Sequence, residues 1–67
     1  MRKLKRWLKE NVLWFRVSND ELNKVYYLTV YSFKDNKNYY HTVPHRVKDS
    51  FIEKLIETIK SETRGIV

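Results

Sequence analysis

The chain has 67 residues, which suits one domain near the lower size limit of independent folding. It has no cysteine, so disulfides, a thiolate nucleophile and a cysteine-based zinc site are excluded. Its net charge of +6 predicts an anionic partner: a nucleic acid, a membrane surface or an acidic protein. No apolar run approaches the length of a membrane span, so we expect no integral membrane contact. The lack of cysteine favours a reducing compartment, so we expect a cytoplasmic location.

Residues 1–10 form the first predicted element, a short helix. Leu4, Trp7 and Leu8 share one face of it. The rest of its surface is basic and carries Lys3, Lys5, Arg6 and Lys9. Such a segment can dock on the sheet, lie on a membrane surface or fold as an arm on nucleic acid. We expect docking, with peripheral membrane contact through residues 1–9 left open.

Residues 11–43 are predicted to form a three-stranded antiparallel meander. The strands are expected at residues 11–18, 24–33 and 38–43, where β-branched and aromatic residues are frequent. Polar turn residues at 19–23 and 34–37 separate them. The short connections predict that sequence neighbours pair as hairpins.

Residues 44–64 are predicted to form a long amphipathic helix. Pro44 suits its first turn, and Arg64-Gly65 is typical of a helix end. Its apolar positions follow a helical period: Val47, Phe51, Ile52, Leu55, Ile56 and Ile59. This helix needs a surface to cover, so we expect an α+β domain of order α-β-β-β-α with the last helix packed on one face of the sheet.

One sheet face should stay open, since the last helix covers only one side. The alternation predicts a covered side with Leu13, Phe15, Val17, Tyr26, Leu28 and Val30. The opposite side would carry Trp14, Arg16, Tyr27, Thr29, Tyr31 and one of Tyr39 or Tyr40. Aromatic rings beside Arg on an open sheet can stack unpaired bases. There are two alternatives: the first helix covers this sheet face, or this sheet face forms a dimer interface.

Catalytic and metal-binding patterns are nearly absent. The single glycine, Gly65, excludes a phosphate-cradling glycine loop. His41 and His45 are separated by a strand end, so the helical spacing of metal ligands does not apply to them. We therefore expect no enzyme activity, metal or cofactor. Arg46 and Lys48 at the predicted helix start are instead candidates for phosphate contacts.

Residues 28–51 also carry a pattern found in a known family. It consists of Leu28-Thr29-Val30, Phe33, Tyr39-Tyr40, Val43-Pro44, Val47 and Phe51. This pattern resembles the core of the KTSC family, small domains found alone or at the end of some lysyl-tRNA synthetases. The resemblance implies a connection to RNA.

These observations predict a small nucleic-acid-binding protein, for RNA or DNA, with low sequence specificity. Its expected phosphate contacts are Lys3, Lys5, Arg6, Lys9, Arg46 and Lys48. Its expected contacts to bases or sugars are Trp14, Arg16, Tyr27 and Tyr31. The alternative is a small protein-interaction module or regulator, of viral or plasmid origin, that acts as a homodimer.

Overall fold

The computed structural model describes residues 2–64, and the side chains of residues 2–63. Its elements are α1 (Arg2–Asn11), β1 (Phe15–Asp20), β2 (Val25–Ser32), β3 (Lys37–Pro44) and α2 (Asp49–Arg64). The strands form one antiparallel sheet in the order β1-β2-β3. The predicted α+β class and the order α-β-β-β-α are confirmed. Gly65, the predicted stop residue, lies outside the described range.

Two four-residue turns connect the strands. In the first, the Asp20 carboxylate accepts hydrogen bonds from the backbone and side-chain nitrogens of Asn23, at 3.1 and 2.8 Å. This is the local bonding by which aspartate favours turns. Each turn also has one residue in the left-handed region, Lys24 at φ 57° and Asn36 at φ 60°. Asn tolerates that region better than most residues, which explains how the second hairpin closes without glycine.

Both helices cover the same face of the sheet, and the core lies between the two layers. Leu28, Val30 and Val43 are the fully buried apolar sheet residues on that face. They pack with side chains from both helices: Leu4, Leu8, Ile52, Leu55, Ile56 and Ile59. The covered side was predicted correctly for Phe15, Val17, Tyr26, Leu28 and Val30. The prediction was wrong for Leu13, which precedes β1 and is 75% exposed.

Helix α1 docks beside α2 and does not cross to the other side of the sheet. Leu4 and Leu8 are fully buried in the shared core, as the docking prediction required. An ion pair of 3.3 Å between Lys3 and Glu53 joins the exposed surfaces of the two helices. Helix α1 therefore leaves the aromatic face of the sheet uncovered.

The predicted helix start at Pro44 is wrong, because β3 continues through that residue. Pro44 pairs with Val25, and the backbone N–H of His45 donates to Lys24 O at 2.9 Å. Proline is tolerated here because β3 is an edge strand. Helix α2 begins only where Phe51 N and Ile52 N donate to Lys48 O.

Because α2 begins later than predicted, two residues of its predicted apolar face do not lie on the buried side of the helix. Val47 packs against the core from the connection before α2. Phe51 lies in the first turn of α2 and is 40% exposed, so its assignment to the core was wrong. The predicted start of β1 at residue 11 was also too early, because α1 continues through Asn11.

The C-terminal end of α2 is tied to the sheet by polar contacts. The buried Ser32 hydroxyl donates to the carbonyl oxygen of Glu62 at 2.8 Å. The carboxylate of Glu62 lies 2.8 Å from Nε2 of His41. These contacts fix the direction of α2 across the sheet.

Neither helix within residues 2–64 has the length and apolar character that crossing a membrane requires.

Candidate nucleic-acid interface

The uncovered side of the sheet, called the open face here, consists of cross-strand rows. Directly paired residues of an antiparallel sheet point to the same side, so the register defines these rows. They are Trp14–Tyr31–Asn38, Arg16–Thr29–Tyr40, Ser18–Tyr27–Thr42 and Asp20–Val25–Pro44. Thr29 lies at the centre of the aromatic part, with Arg16 and Tyr40 beside it and Tyr27 and Tyr31 before and after it.

The aromatic rings of the open face are accessible. Tyr40 is 72% exposed, Trp14 48% and Tyr27 45%. Tyr31 is half-buried, and its hydroxyl donates to the side-chain oxygen of Asn36. The sequence left Tyr39 and Tyr40 as alternatives. Register places Tyr40 on the open face, whereas Tyr39 pairs with Val30 on the covered side.

The central side chain, Thr29, is shorter than the tyrosines around it. Tyr27 and Tyr31 are four residues apart on β2, or about 13 Å along the strand. Arg16 and Tyr40 stand on the two outer strands, about 10 Å apart across the sheet. An area of this size can receive a flat ring that stacks on tyrosine while Arg16 contacts a negative group.

Asp20 limits the positive charge of the open face. The hydroxyl of Tyr27 donates to Oδ2 of Asp20 at 3.0 Å. Hydrogen bonds from Asn23, and then from Tyr27, hold the pKa of Asp20 below its ordinary value. The same bond raises the pKa of Tyr27, since losing the proton would place two negative charges together. Asp20 is therefore charged and Tyr27 neutral at pH 7.

The structure separates the predicted cations. Among the described strand residues on the open face, Arg16 is the one Lys or Arg side chain. Arg46 lies at the end of this face, where it lines a hollow with Lys24, Pro44 and His45. Lys48 lines a different hollow with Phe51 and Lys54. Arg46 and Lys48 thus line different hollows, and both precede the first residue of α2. That they contact phosphate stays a prediction.

The cations of α1 form a separate surface, the basic ridge. Arg2, Lys5, Arg6 and Lys9 follow the spacing of one helix face and line a shallow hollow with Glu10. Within residues 2–64 none of these four cations forms an ion pair, whereas Lys3 pairs with Glu53. Since α1 belongs to the helical layer, the ridge and the open face are different surfaces of the molecule.

A cluster of exposed apolar side chains, called the apolar end, borders the open face. Leu13 and Phe33 are exposed, and with Trp14, Tyr31 and Asn38 they line an open hollow. Phe33 meets Tyr31 edge to face at 5.2 Å between ring centroids. Sequence reasoning missed this cluster because it placed Leu13 in the core.

The two histidines take part in pairwise contacts. His41 is paired with Glu62 as described above. Nε2 of His45 lies 2.6 Å from Oδ1 of Asn19, and its ring packs on Tyr26 at 4.4 Å between centroids. In the part of the chain that the structure describes, no three His, Asp or Glu residues gather as metal ligands would.

Comparison of the chain with protein families, with curated proteins and with solved structures gives no match. The resemblance to the KTSC family therefore stays a prediction, and so does its implied connection to RNA.

Proposed function

We propose that this protein binds nucleic acid with little sequence specificity, and that unpaired bases stack on the open face. The proposal is for a binding protein and not an enzyme. The observation that carries it is the group of uncovered rings, Tyr27, Tyr31, Tyr40 and Trp14, around Thr29 and next to Arg16. Aromatic rings accept any base, because every base has a π face.

Stacking and charge would contribute in different ways. Each base stacked on an aromatic ring contributes about 1–3 kcal/mol. Arg16, and Arg46 at the end of the face, would contact phosphates, and the net charge of +6 would attract the polyanion. Asp20 would repel phosphates from one corner and direct the strand toward Arg46.

The choice between RNA and DNA depends on the sequence and not on the geometry of the open face. The sequence resemblance to the KTSC family supports RNA as the first ligand to test. The lack of cysteine fits the reducing conditions of the cytoplasm, where we place the protein.

A binding titration tests the proposal. Fluorescently labelled single-stranded RNA, single-stranded DNA of the same sequence and the matching duplex would be titrated with protein at low and physiological salt. We expect both single strands to bind more tightly than the duplex, because only unpaired bases can stack. We also expect affinity to fall as salt rises. Absence of binding at low salt, or tighter binding of the duplex, would reject the proposal.

The apolar end favours a second candidate function, a protein-interaction module that acts as a homodimer. Leu13 and Phe33 are exposed beside Trp14, and a contiguous exposed apolar patch that contains a tryptophan is typical of protein interaction sites. Sedimentation equilibrium at several concentrations separates the two candidates. A dimer that Leu13→Asp converts to monomer would support this function. A monomer at all concentrations would argue against it.

A further inference from the structure

We propose that the basic ridge binds the phosphates of a second nucleic-acid segment, so that one chain bridges two segments. This inference rests on the function proposed above, since the open face must hold the first segment. It goes beyond that function because it assigns the two surfaces to different segments. A protein of this kind brings strands together.

The layered fold separates the two surfaces. Leu4 and Leu8 are fully buried in the core on the covered side of the sheet. Arg2, Arg6 and Lys9 lie on the opposite side of the helix wheel, and Lys5 flanks them. All four side chains are exposed, so they face away from that core. The hollow along the ridge is lined by α1 residues alone, with no contribution from the open face. One short strand lying on the open face would therefore leave the ridge free.

The charge of α1 fits a phosphate backbone. The helix has five cations and one acidic residue, Glu10. The ridge extends about 10 Å from Arg2 to Lys9, which is long enough to meet several phosphates of one strand. Helix α2 differs, since it carries four acidic residues and its Lys60 is paired with Glu57 at 3.2 Å. The unpaired ridge cations are therefore the stronger site for a polyanion.

The core contacts of α1 argue against a membrane as the occupant. Basic amphipathic helices bind membranes by inserting their apolar face between lipids. In α1 that face includes Leu4 and Leu8, which are already buried against α2 and the sheet. Insertion would require the helix to leave the core. A nucleic-acid backbone needs only the outer charges.

Native mass spectrometry counts the oligonucleotides bound to each protein chain. The probe is oligothymidine of about six nucleotides, near the short end of known site sizes. We expect wild-type monomer to carry two oligonucleotides at saturation. Lys5→Gln with Lys9→Gln should leave one, held by the open face. The matched control, Lys54→Gln with Lys60→Gln, removes the same charge from α2 and should still carry two. Tyr40→Ala should weaken the strand on the open face and leave the ridge strand bound.

Energy transfer between donor- and acceptor-labelled strands that cannot pair gives a second readout. The narrowest dimension of the chain is 16 Å, so two strands on one chain should be close enough for transfer. Wild type and the α2 control should give a transfer signal, and the ridge variant should lose most of it.

Several results would overturn the inference. These are one oligonucleotide per wild-type monomer, two chains sharing two oligonucleotides, or equal effects of the ridge and control variants. Ridge-dependent binding to anionic vesicles in preference to oligonucleotide would also overturn it.

Failure of the proposed function would give a different result. No oligonucleotide would bind any variant, or Tyr40→Ala would have no effect on strand binding.

Discussion

At the scale of single residues, the open face was predictable because strands alternate with period two. Trp14, Arg16, Tyr27 and Tyr31 all lie on the side where the alternation placed them. Alternation alone did not distinguish Tyr39 from Tyr40. The strand register places Tyr40 on this face. The hydrogen bond of Tyr27 to Asp20 was not predictable, because the two residues are seven apart in sequence and the shape of the turn between them brings them together.

The most exposed ring of the open face, Tyr40, gives a direct test of stacking. Tyr40→Ala should weaken binding of single-stranded nucleic acid by about tenfold, a typical cost of losing one stacked ring. Stability should change little, because this side chain has few packing contacts. Fluorescence anisotropy measures the affinity. Phe51→Ala, which removes an exposed ring from α2, is the matched control and should bind like wild type.

Two carboxylates give a prediction about acid stability. Hydrogen bonds from Asn23 to Asp20, and from Tyr39 to Asp35, lower the pKa of each carboxyl below its ordinary value of 3.8. A folded pKa below the unfolded one stabilises the fold above pH 3.8, and that contribution is lost as pH falls through the folded pKa.

Urea unfolding at a series of pH values measures this loss. We expect the free energy of unfolding of the wild type to fall below about pH 4. The double variant Asp20→Asn with Asp35→Asn should show a smaller fall over the same range. An equally steep fall in wild type and variant would contradict the assignment to these two carboxyls.

At the scale of elements, the amphipathic patterns identified both helices but not their starting points. Pro44 looked like a helix start because sequence alone does not show that it pairs with Val25 across the sheet. Pattern also showed that α1 has an apolar face but not which side of the sheet it would cover. That choice depends on packing beside α2, which no local signal encodes.

The docking of α1 can be tested with a matched pair of leucines. Leu8 is fully buried, so Leu8→Ala should destabilise the protein by about 2–5 kcal/mol. Leu22 is exposed in the first turn, and Leu22→Ala should have little effect. Urea unfolding measures both. Equal stabilities of the two variants would show that α1 is not part of the core.

The tie between α2 and the sheet gives a second prediction at this scale. Ser32→Ala removes the buried hydroxyl that donates to the carbonyl of Glu62, so it should cost about 1–3 kcal/mol. Hydrogen exchange should also speed up in the last turn of α2. Thr58→Ala is the control, because its exposed hydroxyl bonds only within its own helix. Unchanged exchange in Ser32→Ala would mean that this bond does not hold the helix end.

At the scale of the whole molecule, the two layers separate charge from aromatic rings. Composition showed an excess of positive charge and many aromatic residues. The sequence also placed the cations of residues 2–9 on one helix. It could not show that this helix lies in the layer opposite the open face. The predicted phosphate and base contacts therefore fall on two surfaces: the open face with Arg16, and the basic ridge.

The central claim is that the open face holds nucleic-acid bases. NMR of the ¹⁵N-labelled protein, titrated with a short single-stranded oligonucleotide, tests it most directly. We expect the largest amide shifts around Thr29, Tyr27 and Tyr40, with further shifts along α1 as the second segment binds. Shifts confined to α1, or centred on Leu13 and Phe33 with Thr29 unchanged, would contradict the claim.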